Sequence, residues 1–140
     1  MVYTINGAVQ SPSTITSYLD STGNLVTDYN NYQPSPIIYL PAKISMGASW
    51  TSVPATSSSS ATPGTITAVN VTRTVPAGTF NNCVQATYGP TITGTSVFTE
   101  ISYYCPGAGN YVEDTGVTVD TTNNSVSSYD DQLQAGYVAN

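Results

Sequence analysis

The sequence predicts an all-β protein, either an antiparallel sandwich or a strongly curved half-barrel of about nine or ten strands. Threonine (22) and serine (17) are abundant, and valine and isoleucine (22 together) far outnumber leucine (4). This composition favours β-strands. Short runs of alternating apolar and polar residues recur between turn residues, and no helical periodicity is sustained over a useful length.

In the first half of the chain, strands alternate with clear turn signals. Asp20, Gly23 and Asn24 mark a tight turn, and prolines bracket the short apolar run at 37–40. Strands are predicted at residues 2–6, 14–19, 25–29 and 37–40. Trp50, the only tryptophan, is expected in the core. The serine- and threonine-rich segment 51–63 is expected to be an exposed loop.

The second half predicts a longer series of strands. Residues 66–75 alternate cleanly, and a turn at 76–80 follows them. Further strands are predicted at 83–88, 98–105, 110–115, around the valines at 117 and 119, 125–129 and 133–138. Nothing large enough to be a separate domain lies on either side of the 51–63 loop, so residues 1–140 are predicted to form a single all-β domain.

The charge balance excludes several classes of function. Only Lys43 and Arg73 are basic, against eight acidic residues, and the formal net charge is −6. Two cations cannot neutralise a run of phosphates, so no nucleic-acid partner is expected, and an anionic membrane surface is disfavoured for the same reason. No run of about 18 apolar residues is present, so no transmembrane segment is expected.

Cys83 and Cys105, the only cysteines, are expected to pair. If 83–88 and 98–105 form an antiparallel hairpin centred near Gly94, Cys83 faces Cys105 and Val84 faces Tyr104. Such a disulfide adds about 3 kcal/mol by the loop-entropy estimate and indicates an oxidising compartment. The alternative is a pair of buried free thiols in a reducing compartment. A metal site needs more ligands than two cysteines supply.

Two sequence boxes resemble those of a known group of proteins. They are Val75-Pro-Ala-Gly-Thr-Phe80 and Tyr103-Tyr-Cys-Pro-Gly-Ala-Gly109. Together with the apolar segment 37–41 and Gly47-Ala-Ser-Trp50, they resemble bacterial periplasmic, lipoprotein and secreted domains of unknown function. In those domains a PAGTF-type box precedes a YYAPGVGLV-type box by about 25 residues.

The resemblance spans roughly residues 14 to 138 in order. It implies structural turns and a fold loosely related to sandwich or half-barrel lipoprotein carriers, and it implies no activity. Cys105 stands where a small residue is usual, and Asn110 and Glu113 replace apolar and basic positions. These departures favour a specific Cys83–Cys105 bridge.

Catalytic residues are not predicted. The chain has no histidine, which excludes Ser-His-Asp and Cys-His catalysis. The carboxyl groups are expected to form a solvated acidic surface, because no pocket that would raise a pKa is evident from the sequence. Those considered as carboxylate pairs are Asp28, Glu100, Glu113, Asp114, Asp130 and Asp131. The protein is therefore expected to have no group that titrates near neutrality, no enzymatic activity, no cofactor and no metal site.

Tyrosines are the better candidates for a binding surface. They cluster beside two rigid segments, the one with Pro34 and Pro36 and the Gly107–Gly109 turn. Aromatic side chains beside such turns are suited to a carbohydrate platform or an assembly surface. The alternative is that they are half-buried strand residues of a leucine-poor core. The candidates are Tyr29, Tyr32, Tyr39, Tyr103, Tyr104 and Tyr111.

The expected function is that of a non-enzymatic β domain with a structural or partner-binding role, located outside the cell, at the cell surface or in the periplasm. Its low charge and hydroxyl-rich composition favour this setting. The partner is expected to be a second copy or a protein or carbohydrate surface. Two specific alternatives stay open: a self-assembling subunit of an extracellular filament or surface layer, and a carrier of an apolar ligand in a half-barrel cavity.

Overall fold

The computed structural model describes residues 4–5, 8–9, 15–29, 36–109 and 111–136, which form antiparallel strands and no helix. Nine strands build two sheets, one of three strands and one of six, and the sheets do not close into a barrel. A separate pair of two-residue strands, β1 (Thr4–Ile5) and β2 (Ala8–Val9), precedes them. The predicted all-β class is confirmed, as an open antiparallel sandwich.

Both sheets are simple meanders in which consecutive strands are neighbours. The three-stranded sheet consists of β3 (Ile15–Leu19), β4 (Leu25–Tyr29) and β5 (Ile37–Leu40). The six-stranded sheet consists of β6 (Ser49–Val53), β7 (Thr62–Val75), β8 (Gly78–Thr93), β9 (Ser96–Tyr104), β10 (Tyr111–Asp120) and β11 (Ser125–Gln132). Strands β6 and β11 are therefore the edges of the larger sheet.

Aromatic residues fill the space between the sheets. Ile66, Ala86, Tyr88 and Tyr104 of the larger sheet are buried there, and partly buried side chains of the smaller sheet and β6 pack on them. The ring centroids of Tyr39 and Trp50 lie 6.0 and 5.9 Å from that of Tyr88, both edge-on. Aromatic pairs of this geometry add stability beyond the area they bury. Trp50, expected in the core, packs against it and remains half-buried.

The turn between β3 and β4 is held by one carboxylate. Asp20 Oδ1 accepts hydrogen bonds from the backbone N–H groups of Thr22 (2.8 Å) and Asn24 (3.0 Å). These bonds favour the ionised form, and the bond from the Thr22 hydroxyl contributes most to lowering the pKa of Asp20 to about 2. Asn24 Oδ1 in turn accepts from the Ala42 N–H (2.8 Å), so the turn is tied to the end of β5.

A bulge bends the hairpin of β8 and β9. The register is constant from Val84 opposite Tyr104 to Tyr88 opposite Glu100, and then shifts before Thr91. Gly89 lies in the bulge with φ +99°, and a Cβ there would come within 2.5 Å of the Phe98 carbonyl oxygen. Only glycine tolerates both the angle and the close approach.

The exposed loop predicted at 51–63 is wrong at both ends. Residues 51–53 belong to β6, and β7 begins at Thr62, so the loop covers only 54–61. The side chains of Ser52 and Thr62 are buried. The Ser52 hydroxyl donates to the Ile38 carbonyl oxygen (2.8 Å), and the hydroxyl oxygens of Thr62 and Thr91 lie 2.7 Å apart. Hydroxyl side chains with such partners fit inside a sheet, which composition alone does not reveal.

The strand predicted at 133–138 is not formed by its described part, residues 133–136, and residues 137–138 lie outside the described residues. Instead, β11 continues to Gln132, beyond the predicted end at 129. Leu133 then crosses to the disulfide end of the core, where its N–H donates to the Val112 carbonyl (2.9 Å) and its carbonyl accepts from the Ala77 N–H (3.0 Å). The first bond continues the pairing of β11 with β10, and the second joins the chain to the turn between β7 and β8.

Candidate functional site

A buried disulfide joins β8 to the residue that follows β9. Cys83 and Cys105 have Cα atoms 4.2 Å apart, and Val84 lies opposite Tyr104, in the register that the hairpin predicts. The two cysteines form a small core with Val75, Ala108 and Val112. The predicted pairing is present in the structure, and the oxidising compartment that it indicates remains a prediction.

The four candidate tyrosines whose side chains the structure describes do not form an exposed platform. Tyr104 is buried, at 6% exposure, so its assignment to a surface is wrong. Tyr39, Tyr103 and Tyr111 are half-buried, with Tyr39 packed against Tyr88 and Tyr104. For these residues the structure favours the alternative, that of tyrosines filling a leucine-poor core. The Tyr29 side chain and the whole of Tyr32 lie outside the described residues.

The two basic residues lie apart and form no positive patch. Arg73 of β7 makes an ion pair with Glu113 of β10, and its guanidinium carbon lies 4.0 Å from the centroid of the Tyr103 ring. Lys43 is exposed in the connection between β5 and β6. The separation leaves no concentrated positive charge for a polyanion, in keeping with the composition.

Four polar side chains on neighbouring strands form what we call the carboxyl cluster. Sheet pairing sets Ser102 of β9 opposite Asp114 of β10, and Gly116 of β10 opposite both Glu100 and Tyr129. Opposite residues share a face, so Glu100, Ser102, Asp114 and Tyr129 meet. The Ser102 hydroxyl lies 2.8 Å from Asp114 Oδ1 and 3.3 Å from Glu100 Oε1. The Tyr129 hydroxyl lies 2.8 Å from Glu100 Oε2 and 3.3 Å from Asp114 Oδ2.

The carboxyl cluster has fewer hydrogen-bond donors than close contacts, which favours a proton on one of its two carboxyl groups. Four close contacts join its members, but two hydroxyl groups supply only two protons when both carboxyls are ionised. A proton on Glu100 provides a third donor, which lets it donate to Ser102 while Ser102 donates to Asp114. Two carboxyl groups that share two hydroxyl donors at these distances therefore favour one neutral carboxylic acid in the cluster.

Burial in this cluster and, to a smaller extent, the neighbouring charge of Asp114 together raise the pKa of Glu100 to about 7. Burial also raises the pKa of Asp114. The expectations of a wholly solvated acidic surface and of no group titrating near neutrality are therefore wrong.

Sequence reasoning named Glu100 and Asp114 among several carboxyls but missed Ser102 and Tyr129. The turn at 106–109 was the available signal, because it brings β10 beside β9.

The Tyr129 ring lies directly over Gly116, the residue opposite it on β10. A Cβ at Gly116 would come within 2.2 Å of the ring. We expect Gly116→Ala to displace the ring and to lower the free energy of unfolding by about 1–3 kcal/mol, the usual cost of overpacking. Denaturant unfolding of Gly116→Ala, Tyr129→Ala and the double variant measures this. The Gly116→Ala penalty should largely disappear without the ring, and an undiminished penalty would contradict the proposed clash.

A cavity of about 480 Å³ opens between β5 and the β8–β9 hairpin. Its lining includes seven serine and threonine residues, together with Ile37, Tyr39, Val53, Tyr88, Phe98 and Glu100. Glu100 thus belongs both to the cavity wall and to the carboxyl cluster. A ligand in this cavity would therefore contact both hydroxyl groups and apolar side chains.

Within the described ranges, no group of three or more acidic or cysteine side chains could hold a metal ion. Over the same residues, no helix is long and apolar enough to cross a membrane. No family model, curated protein or solved structure matches this chain. The resemblance to periplasmic and secreted bacterial domains therefore stays a prediction, as does the bacterial origin it implies.

Proposed function

We propose that this chain is a non-enzymatic domain of an exported or cell-surface protein and that its role is structural, exerted by self-association along strand β11. The free edge of β11 carries this proposal. The disulfide and the low charge of the chain support the exported setting.

Strand β11 has an outer edge with which no other described strand pairs. It is the outermost strand of the larger sheet and pairs with β10 over eight residues without a bulge. Residues 125–131 are exposed, and Val126 keeps 66% of its surface accessible. Its sequence contains no lysine or proline, the residues that usually protect an edge strand. A row of backbone donors and acceptors on the side away from β10 is thus available to a further strand.

The charges of β11 favour antiparallel pairing with a second copy. Parallel pairing in register would set Asp130 and Asp131 against the same residues of the other copy, and like charges directly opposite each other are destabilising. Antiparallel pairing centred on Ser128 sets Asp130 opposite Val126 instead. This arrangement is two-fold symmetric, closes on itself and extends two six-stranded sheets into one.

Catalysis is disfavoured by the placement of the carboxyl groups. Of the carboxyl groups that the structure describes, only Glu100 lines the cavity, whereas glycoside hydrolysis needs two carboxyl groups facing one bond. Both oxygens of Glu100 are already engaged by Ser102 and Tyr129. Binding without catalysis is therefore the simpler role for this cavity.

Two substitutions at Val126 test the proposed pairing. Val126→Lys sets a cation opposite Asp130 of the other copy and should tighten association, whereas Val126→Asp should weaken it. Two symmetric cross-strand pairs correspond to a change of roughly two- to thirtyfold in the dissociation constant in each direction. Sedimentation velocity at low ionic strength, over a range of concentrations, measures it.

Thr99 provides the matched control. It is exposed on β9 and lies opposite Val117 of β10. Ser128 of β11 lies opposite Val117 on the other side, so Thr99, Ser128 and Val126 share one face of the sheet. Thr99 is two strands away from the β11 edge. Thr99→Lys and Thr99→Asp should leave association unchanged. A wild-type protein that remains monomeric at about millimolar concentration, or equal effects at Val126 and Thr99, would overturn the proposal.

A further inference from the structure

The cavity between the two sheets has a mixed lining of hydroxyl groups and apolar surface. Seven of its lining residues are serine or threonine, contributed by β6, the 54–61 loop, β7 and β8. Each hydroxyl both donates and accepts hydrogen bonds, so the wall can match a ligand that carries hydroxyls of its own. The volume of about 480 Å³ falls within the usual range for small-molecule sites.

The loop wall of the cavity is already ordered. Thr56 Oγ1 accepts hydrogen bonds from the N–H groups of Ser58 (3.2 Å) and Ser59 (3.1 Å), which closes the loop on itself. Ser60 and Ile92 exchange two bonds of 2.8 Å, from the Ser60 N–H to the Ile92 carbonyl and from the Ile92 N–H to Ser60 Oγ. These bonds fasten the loop to β8. A wall fixed before binding loses little conformational entropy when a ligand enters.

Aromatic and aliphatic surface completes the cavity. Tyr39, Tyr88 and Phe98 line it beside Ile37 and Val53. The Tyr88 hydroxyl donates to the Tyr39 carbonyl oxygen (2.5 Å), which fixes the tyrosine at the back of the cavity. Apolar ring surface combined with many hydroxyls suits a molecule with C–H faces and hydroxyl edges.

Charge narrows the class of ligand further. Among the described residues no lysine or arginine lines the cavity, and the chain carries a formal net charge of −6, so an anionic ligand is disfavoured. A cation would need a free carboxylate, but both Glu100 oxygens have partners in the carboxyl cluster. A neutral ligand avoids both penalties.

From these observations we infer that the cavity binds a neutral, hydroxyl-rich molecule of the size of one or two sugar rings. Hydroxyl groups of the wall would exchange hydrogen bonds with its edges, while Tyr39 and Phe98 contact its C–H faces. This site is separate from the β11 edge, and the inference does not rest on self-association.

Titration of the ¹⁵N-labelled protein with five sugars, followed by NMR, tests the inference. Glucose, cellobiose and maltose are the neutral probes, glucuronate the anionic probe and glucosamine the cationic probe. At least one neutral probe should shift the amide signals of Tyr88, Thr91 and Phe98 at millimolar concentration, and the charged probes should bind at least about tenfold more weakly. Val126→Asp should leave these shifts unchanged.

Two variants that fill the cavity test whether the neutral sugar binds there. Thr93→Trp and Ser58→Trp introduce bulk from exposed lining positions on two adjacent segments, β8 and the 54–61 loop, and each should weaken binding at least about tenfold. Ile92→Trp is the matched control, because Ile92 is the exposed neighbour of Thr93 and does not line the cavity. No shift with any neutral probe, equal binding of glucuronate, or equal loss in the control would overturn the inference.

Discussion

Replacing Glu100 with glutamine is expected to stabilise the protein at pH 8 by roughly 2–3 kcal/mol. Burial raises the pKa of Glu100 from 4.5 to about 7, so the folded state holds a proton that the unfolded state releases. This contribution is fully present below pH 4.5 and is lost as the pH rises to 7. Glutamine keeps the shape and a donor toward Ser102, and it does not ionise.

Urea unfolding from pH 4 to pH 8 measures this effect. The wild-type protein should lose stability between pH 4.5 and 7, and Glu100→Gln should lose less, with the two nearly equal at pH 4. Asp114 also lowers the stability of both proteins as the pH rises, because burial raises its pKa as well. A wild-type stability that is flat or rises over this range would contradict the assignment of the proton to Glu100.

Glu113→Gln is the matched control, because it makes the same chemical change one residue from Asp114. Glu113 is ion-paired with Arg73 and is 7% exposed at its side chain. Its loss leaves a half-buried guanidinium without its carboxylate, so this variant should be destabilised by roughly 1–2 kcal/mol at pH 8. A gain in stability for Glu100→Gln and a loss for Glu113→Gln would distinguish the buried neutral acid from the ion-paired carboxylate.

Removal of the disulfide is expected to cost at least about 3 kcal/mol. The bond closes a loop between cysteines 22 positions apart, and its loss frees the unfolded chain. Cys83→Ala with Cys105→Ala also leaves space in the small core beside Val112. Equilibrium unfolding of this double variant against the wild-type protein measures the loss.

Reducing agent supplies the control for the disulfide. Dithiothreitol should lower the unfolding midpoint of the wild-type protein toward that of the double variant and should leave the double variant unchanged. A double variant as stable as the oxidised wild-type protein would show that the β8–β9 hairpin needs no covalent support.

The pairing at the cysteine end of the β8–β9 hairpin could be predicted, although a bulge that the sequence analysis did not include contributes to it. Strand alternation and a turn near Gly94 predict Val84 opposite Tyr104, as observed. The turn itself pairs Thr93 with Ser96, a register that would set Val84 opposite Cys105, and the bulge at Gly89 shifts the register by one residue to the predicted pairing. Turn residues therefore locate the hairpin, and the bulge completes its register.

The carboxyl cluster could not be predicted, because one irregular residue decides its membership. A bulge between Tyr111 and Glu113 shifts the pairing of β9 and β10, and it sets Asp114 opposite Ser102. Without that shift, Glu113 would take this place, since a slip of one residue exchanges the two faces of a strand. Apolar pattern does not distinguish these two acidic neighbours.

The position of Lys43 has a practical consequence. Trypsin cleaves after lysine and arginine, and Arg73 lies within β7 with its guanidinium held by Glu113 and Tyr103. Lys43, by contrast, is exposed between β5 and β6. Every strand of the three-stranded sheet precedes it, and every strand of the six-stranded sheet follows it. A single proteolytic nick there would divide the polypeptide along the boundary between its two layers, and the disulfide would remain within one fragment.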